Sequence, residues 1–189
     1  MAIDRIIKQK NPKLFDAVIV QAQDILAREL PWLNHVFGKA ERLVKEIEGV
    51  KHYTPNIYLG GGEYVGLLPD ATLGNFSFFL MDDPDTVEWS RGSANHLQKT
   101  FSLVVWCDLR TVLDDDSRNR EAVKQQILQC LNGRMVLRHG HLVCTGIYER
   151  AENIFQGFTT DEVDNQYLMS PYCGFRFEGQ MITTDECII

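Results

Sequence analysis

The ten residues Thr100–Leu109, TFSLVVWCDL, constrain this chain more than any other stretch. In an extended conformation Phe101, Leu103, Val105, Cys107 and Leu109 share one face, while Val104 and Trp106 make the other face apolar too. A strand apolar on both sides is stable only when both sides are covered, so the segment reads as the centre of a sheet with packing above and below. With 189 residues the chain is long enough to supply that cover without disulfides or metals.

The remaining texture supplies candidate partners for this strand. Asn11-Pro12 reads as a helix start, with Asn as cap and Pro in the first turn. Phe15, Val18, Ile19, Ala22, Ile25 and Leu26 follow at helical spacing as far as Glu29 and Pro31. Trp32, Leu33, Val36 and Phe37 read as a short aromatic turn closed by Gly38. Residues 39–53 fit either a helix or a charged strand; Gly49 and Tyr53-Thr54-Pro55 favour the strand. Ile57–Leu59 and Tyr64–Leu68 read as strands flanking Gly60-Gly61-Gly62, and Phe76, Phe78 and Leu80 alternate in another. Asp82-Asp83-Pro84-Asp85 ends that strand, and the polar segment that follows, as far as His96, reads as a loop. Asp114–Asn119 reads as an acidic loop that caps a helix whose buried stripe is Val123, Ile127, Leu128 and Leu131 and whose stop is Asn132-Gly133. Leu142–Tyr148 is a strand, and Glu149–Thr160 is irregular with Ile154, Phe155 and Phe158 as anchors. In Tyr172–Ile182, Cys173, Phe175, Phe177 and Met181 face a core; Arg176, Glu178 and Gln180 face water or a partner.

The expected fold class is therefore α+β: a mixed, mainly antiparallel sheet packed by two or three helices, with an N-terminal helical arm. Residues 1–38 form the arm and residues 39–189 a single α+β domain.

Charge narrows the function classes. The chain carries 19 Lys+Arg against 26 Asp+Glu, net −7. Residues 1–52 hold nine basic and seven acidic side chains, and the remainder holds ten and nineteen. An acidic body repels phosphate backbones, so direct nucleic-acid binding is not expected. A membrane span needs about 20 apolar residues, and no stretch between charged residues exceeds eleven positions. Met1–Lys8 lacks the apolar core of a secretory signal. Five scattered cysteines, Cys107, Cys130, Cys144, Cys173 and Cys187, suit an intracellular, reduced protein in which thiols act as small hydrophobes.

Four constellations bear on chemistry. Gly60-Gly61-Gly62 lacks the Gly-Lys-Ser/Thr and following helix of a phosphate loop and reads as a turn. His139 and His141 with Cys144 make the one arrangement resembling a metal cluster, but zinc needs three or four protein ligands and the hairpin reading is preferred. Asp114-Asp115-Asp116 lacks the spaced ligands of a calcium loop. No Ser or Cys sits in a nucleophile signature. No catalytic, cofactor-binding or metal-ligating residue is assigned, no cofactor is expected, and the protein is expected not to be an enzyme. The aromatic side chains, including Trp32, Trp89 and Trp106, suit either contact surfaces or a plain aromatic core.

The order of elements carries a resemblance. A helical segment precedes an apolar strand ending Trp106-Cys107-Asp108-Leu109-Arg110; an acidic loop, the helix Arg120–Leu131 and a further strand follow. A late strand, Pro171-Tyr172-Cys173-Gly174-Phe175-Arg176-Phe177, closes the series. Over residues 55–182 this resembles the tail-terminator, or tail-completion, proteins of long-tailed bacteriophages and prophages. The resemblance implies a phage-related minor tail protein that self-associates into a ring, typically a hexamer. Such a ring caps the tail tube and meets the head-tail connector, so the implied locations are the cytoplasm of a bacterial host during assembly and then the virion tail or neck. The basic segment 1–52 is expected to contact the acidic body of a neighbouring copy. Two alternatives remain: a metal-dependent hydrolase using His139, His141 and an acidic partner, or a small binding module of a mobile element.

Overall fold

A computed structural model describes residues 3–81, 84–88, 96–113 and 118–183. Trp89, Asp114-Asp115-Asp116 and Cys187 lie outside the described residues, so the readings placed on them concern the sequence alone. The described chain is α+β, with ten strands and four α-helices.

The strand centred on Val104 extends over His96–Asp108 (β8) and forms the middle of a seven-stranded sheet. On one side β8 pairs antiparallel with β6 (Phe76–Met81), which is followed outward by β2 (His35–Lys39) and β1 (Ile6–Ile7), both parallel. On the other side it pairs antiparallel with β10 (Tyr172–Thr183), and β9 (Gly140–Tyr148) closes the sheet. A short strand, β7 (Thr86–Glu88), pairs with the start of β8 inside the stretch expected to be a loop.

Both faces of β8 are buried, as the two-sided pattern requires. Phe101, Leu103, Val105 and Cys107 join Cys173, Phe175, Phe177 and Met181 under two helices, α1 (Phe15–Glu29) and α3 (Arg120–Gln129). Val104 and Trp106 join Phe76, Phe78 and Leu80 on the opposite face, beneath Ile154 and Phe155 at the one-turn helix α4 (Ala151–Ile154). Fully burying one Phe or Leu contributes about 1.5–3 kcal/mol, so this double layer dominates the stability.

The first 38 residues are woven into this body. The Gln23 side-chain amide, fully buried in α1, donates to the Ile7 carbonyl at 2.8 Å and the Val36 carbonyl at 2.9 Å, tying α1 to the edge strand β1 and its neighbour β2. The Arg5 guanidinium donates to the carbonyls of Leu33, Ala27 and Pro31. The expected aromatic turn is instead β2, because Val36 and Phe37 are buried on opposite faces of the sheet. Helix α1 starts at Phe15 rather than Pro12: Asn11 and Leu14 both have positive φ (50° and 49°), which breaks helical continuity before that point. At the other end of the chain's helical set, α3 runs past Gln129 into a π-helical turn, Cys130–Arg134, instead of stopping at Gly133.

Strand β10 also departs from a simple in/out alternation. Arg176 is only 6% exposed, donating to Ser102 Oγ at 3.1 Å and pairing with Glu178 at 2.8 Å. Gly174 lies flat against the indole of Trp106. A Cβ there would collide with ring atoms Cε3 and Cζ3 and press on Ile154 Cδ1 at 3.1 Å. Gly174→Ala is expected to destabilise the protein by about 1–3 kcal/mol through overpacking, read as a lower urea midpoint with an unchanged slope.

Candidate functional site

Between β2 and β6 the chain leaves the body as a separate three-stranded antiparallel sheet: β3 (Glu41–Ile47), β4 (Val50–Gly60) and β5 (Glu63–Gly66). Residues 39–53 are thus largely strand. Ile47 pairs with Val50, so the two turn residues are Glu48 and Gly49, both with positive φ (51° and 80°), the tight hairpin turn that matches strand twist. Gly60, Gly61 and Gly62 all have positive φ in the turn from β4 to β5. They serve backbone geometry, and a strand follows them where a phosphate site would need a helix.

Only the root of this sheet is buried. Ile57 and Asn56 sit against the body, and Tyr53 is braced there by donating its backbone N–H to Thr159 Oγ1 and accepting from the Thr159 N–H at its carbonyl. Beyond that brace β3 and β4 continue as a two-stranded ribbon. Val50, beyond the brace, is 59% exposed, and Val44, directly opposite Tyr53, is 55% exposed on the other face. Glu41, Glu46 and Glu48 balance Arg42, Lys45 and Lys51, so the ribbon has no net formal charge, counting His52 as neutral. Nearer the root, Arg42 stacks 4.2 Å over Tyr53, the Tyr58 and Tyr64 rings lie 5.1 Å apart, and Tyr64 donates to Glu41 Oε2. Burial first and the Glu41 charge second raise the Tyr64 pKa. A two-stranded ribbon with two bare faces is marginal in water, which makes it a candidate contact surface.

Among the described residues β9 is the last strand on its side of the sheet, and its outer edge is a second unusual surface. Across Gly140–Tyr148 there is no Lys, Arg, Asp, Glu or Pro, and Val143 (44%), Ile147 (36%) and Tyr148 (39%) are exposed. Native edge strands are ordinarily blunted by charge, proline or shortness. Strand β1 follows that rule with two residues; β9 has nine and is interrupted only by a register shift opposite Glu178/Gly179.

The metal reading of His139, His141 and Cys144 gains no geometry. Among the described residues no three His, Cys, Asp or Glu side chains gather closely enough to hold an ion. The intervening Gly140 has a packing reason instead, since a Cβ there would strike the Ile182 carbonyl and Val18. None of the described helices is long and apolar enough to cross a membrane.

The two segments that carried the resemblance are neighbours: Tyr172 pairs with Asp108, and the ladder continues through Cys173–Cys107 to Phe177–Leu103. Asp108 caps the one-turn helix α2 (Leu109–Val112), accepting from the Arg110 backbone N–H at 3.0 Å and from its guanidinium at 2.6 Å; Arg110 also reaches Tyr172 Oη. A cleft of about 440 Å3 opens beside this seam, lined by Trp106, Arg120, Glu149, Arg150, Tyr172 and Cys173 among others. The sequence matches no protein-family model and no curated protein.

Arg110's hydrogen bond holds the Asp108 carboxyl below the usual carboxylate range, against the opposing effect of burial. A depressed folded pKa gives stability that is present above the unfolded value, about 3.9, and is lost as pH falls through the folded value. Asp108→Ala is expected to lose about 1 kcal/mol at neutral pH through loss of the cap, and to flatten the acid limb of a stability–pH curve relative to the parent.

Proposed function

We propose that this chain is a non-enzymatic assembly protein of a long-tailed phage or prophage, a tail-terminator-like subunit that associates with copies of itself in a ring. The observation that carries the reading is the ribbon of β3 and β4, which exposes Val50 beyond its Tyr53–Thr159 brace and Val44, opposite Tyr53, on the other face. A cyclic ring needs two dissimilar complementary patches on each subunit. The ribbon and the uncharged edge of β9 are two such patches, and strand-to-strand or ribbon-to-sheet contact between copies would cover both. In this reading the ring caps a tail tube and meets a head-tail connector, working in the bacterial cytoplasm and then in the virion.

The expected contact of residues 1–52 with a neighbour narrows to 41–52. Residues 6–7 and 35–39 are sheet strands and α1 is part of the core. Removing residues 1–10 would therefore strip β1 and the Arg5 hydrogen bonds, testing folding more than assembly.

Light scattering on the eluting full-length protein at micromolar concentration is expected to give a mass several times 21.7 kDa. The double variant Val44→Asp/Val50→Asp is expected to shift it to the mass of one chain with an unchanged circular dichroism spectrum. A single-chain mass for the parent at every concentration would end the ring reading.

A further inference from the structure

We propose that Cys107 and Cys173 form a redox-active dithiol, with Cys173 as the peroxide-reactive thiol at the floor of the Arg120–Glu149 cleft and Cys107 as the resolving thiol behind it. The inference does not depend on the ring reading.

Three observations carry it. The two residues are directly opposed on antiparallel β8 and β10, where Cα atoms lie about 4.5–5.5 Å apart, inside the range a disulfide spans. Their sulfurs are already 3.5 Å apart. Both thiols belong to the buried layer, but Cys173, 2% exposed, contributes to the lining of the cleft of about 440 Å3, while Cys107, with no exposed surface, lies behind it. The surroundings then divide the labour. A hydrogen bond from Cys107 and, after the opposing cost of burial, the nearby Arg120 charge lower the Cys173 pKa and favour its thiolate. Cys107 moves upward because of the same hydrogen bond and its burial, and stays a thiol.

The chemistry balances with a hydroperoxide as oxidant. The Cys173 thiolate attacks the terminal peroxide oxygen; the S–O bond forms, the O–O bond breaks, and hydroxide (from hydrogen peroxide) or alkoxide (from an organic hydroperoxide) leaves and is protonated. Cys107 sulfur then attacks the sulfenic sulfur, the S–S bond forms, and the S–O bond breaks with release of water after proton transfer from the Cys107 thiol. With hydrogen peroxide, two thiols are oxidised by two electrons and the peroxide becomes two waters. A dithiol reductant reverses the reaction by exchange at the disulfide.

The test uses the reduced full-length chain and hydrogen peroxide, followed by thiol blocking and peptide mapping by mass spectrometry. The expected result is a linked peptide pair containing Cys107 and Cys173, lost on treatment with dithiothreitol. Absence of that pair while Cys130, Cys144 or Cys187 is oxidised, or no oxidation at all, overturns the proposal. Two variants assign the roles, each checked for a cooperative thermal transition. Cys107→Ala is expected to leave a sulfenic acid at Cys173 that dimedone traps, and Cys173→Ala to leave Cys107 unmodified by peroxide. Equal peroxide reactivity of Cys107 in Cys173→Ala overturns the assigned order. The peptide map of the parent protein decides the pairing even if a variant fails to fold.

Discussion

Burial of β8 on both faces is the constraint from which the rest follows. A strand with Phe101, Leu103, Val105 and Cys107 on one side and Val104 and Trp106 on the other needs two separate covers. Helices α1 and α3 supply one; α4 and the root of the projecting sheet supply the other. The requirement reaches into the neighbouring strand as well. Gly174 is a glycine because the Trp106 indole occupies the space where a Cβ would stand. Arg176, on the same face, is held under cover by Ser102 and Glu178 rather than by water.

That body leaves two β surfaces without the usual protection. A ribbon that crosses out of the fold with apolar residues on both faces gains little by itself, since the entropy of ordering it is offset by few contacts within the chain. A nine-residue strand without formally charged residues forms the last strand of the sheet among the described residues. Each feature alone is a cost to an isolated subunit. In the proposed ring, a neighbouring copy would cover both.

The seam between β8 and β10 joins structure to chemistry. The same register that packs Phe175 against Val105 sets Cys173 opposite Cys107. Cys173 is the one of the two that reaches the lining of the cleft beside α3, and Cys107 lies wholly within the core. A cross-link there would staple the two central strands without altering their pairing, which confines its effect to rigidity and local cleft shape.

The α+β class, the central strand, the hairpin around Gly60–Gly62 and the buried stripe of α3 were legible in the sequence, because period-two and helical spacing record which side of an element meets the core. Local pattern misled where long-range contact dominated: Val36 and Phe37 read as a turn but pair with Ile6, Ile7 and Ser77 in a sheet, and Asn11-Pro12 read as a cap although positive φ at Leu14 delays the helix. The candidate contact ribbon was legible as strand but not as exposed, since exposure depends on what fails to pack against it. Cysteines 66 positions apart carry no mutual signal until two strands are registered. The sequence by itself determined the element types and the need for a two-sided core, because these depend on side-chain periodicity. Only the tertiary structure decided which edges stay open and which thiols meet, because both are set by strand order and register between segments far apart in the chain.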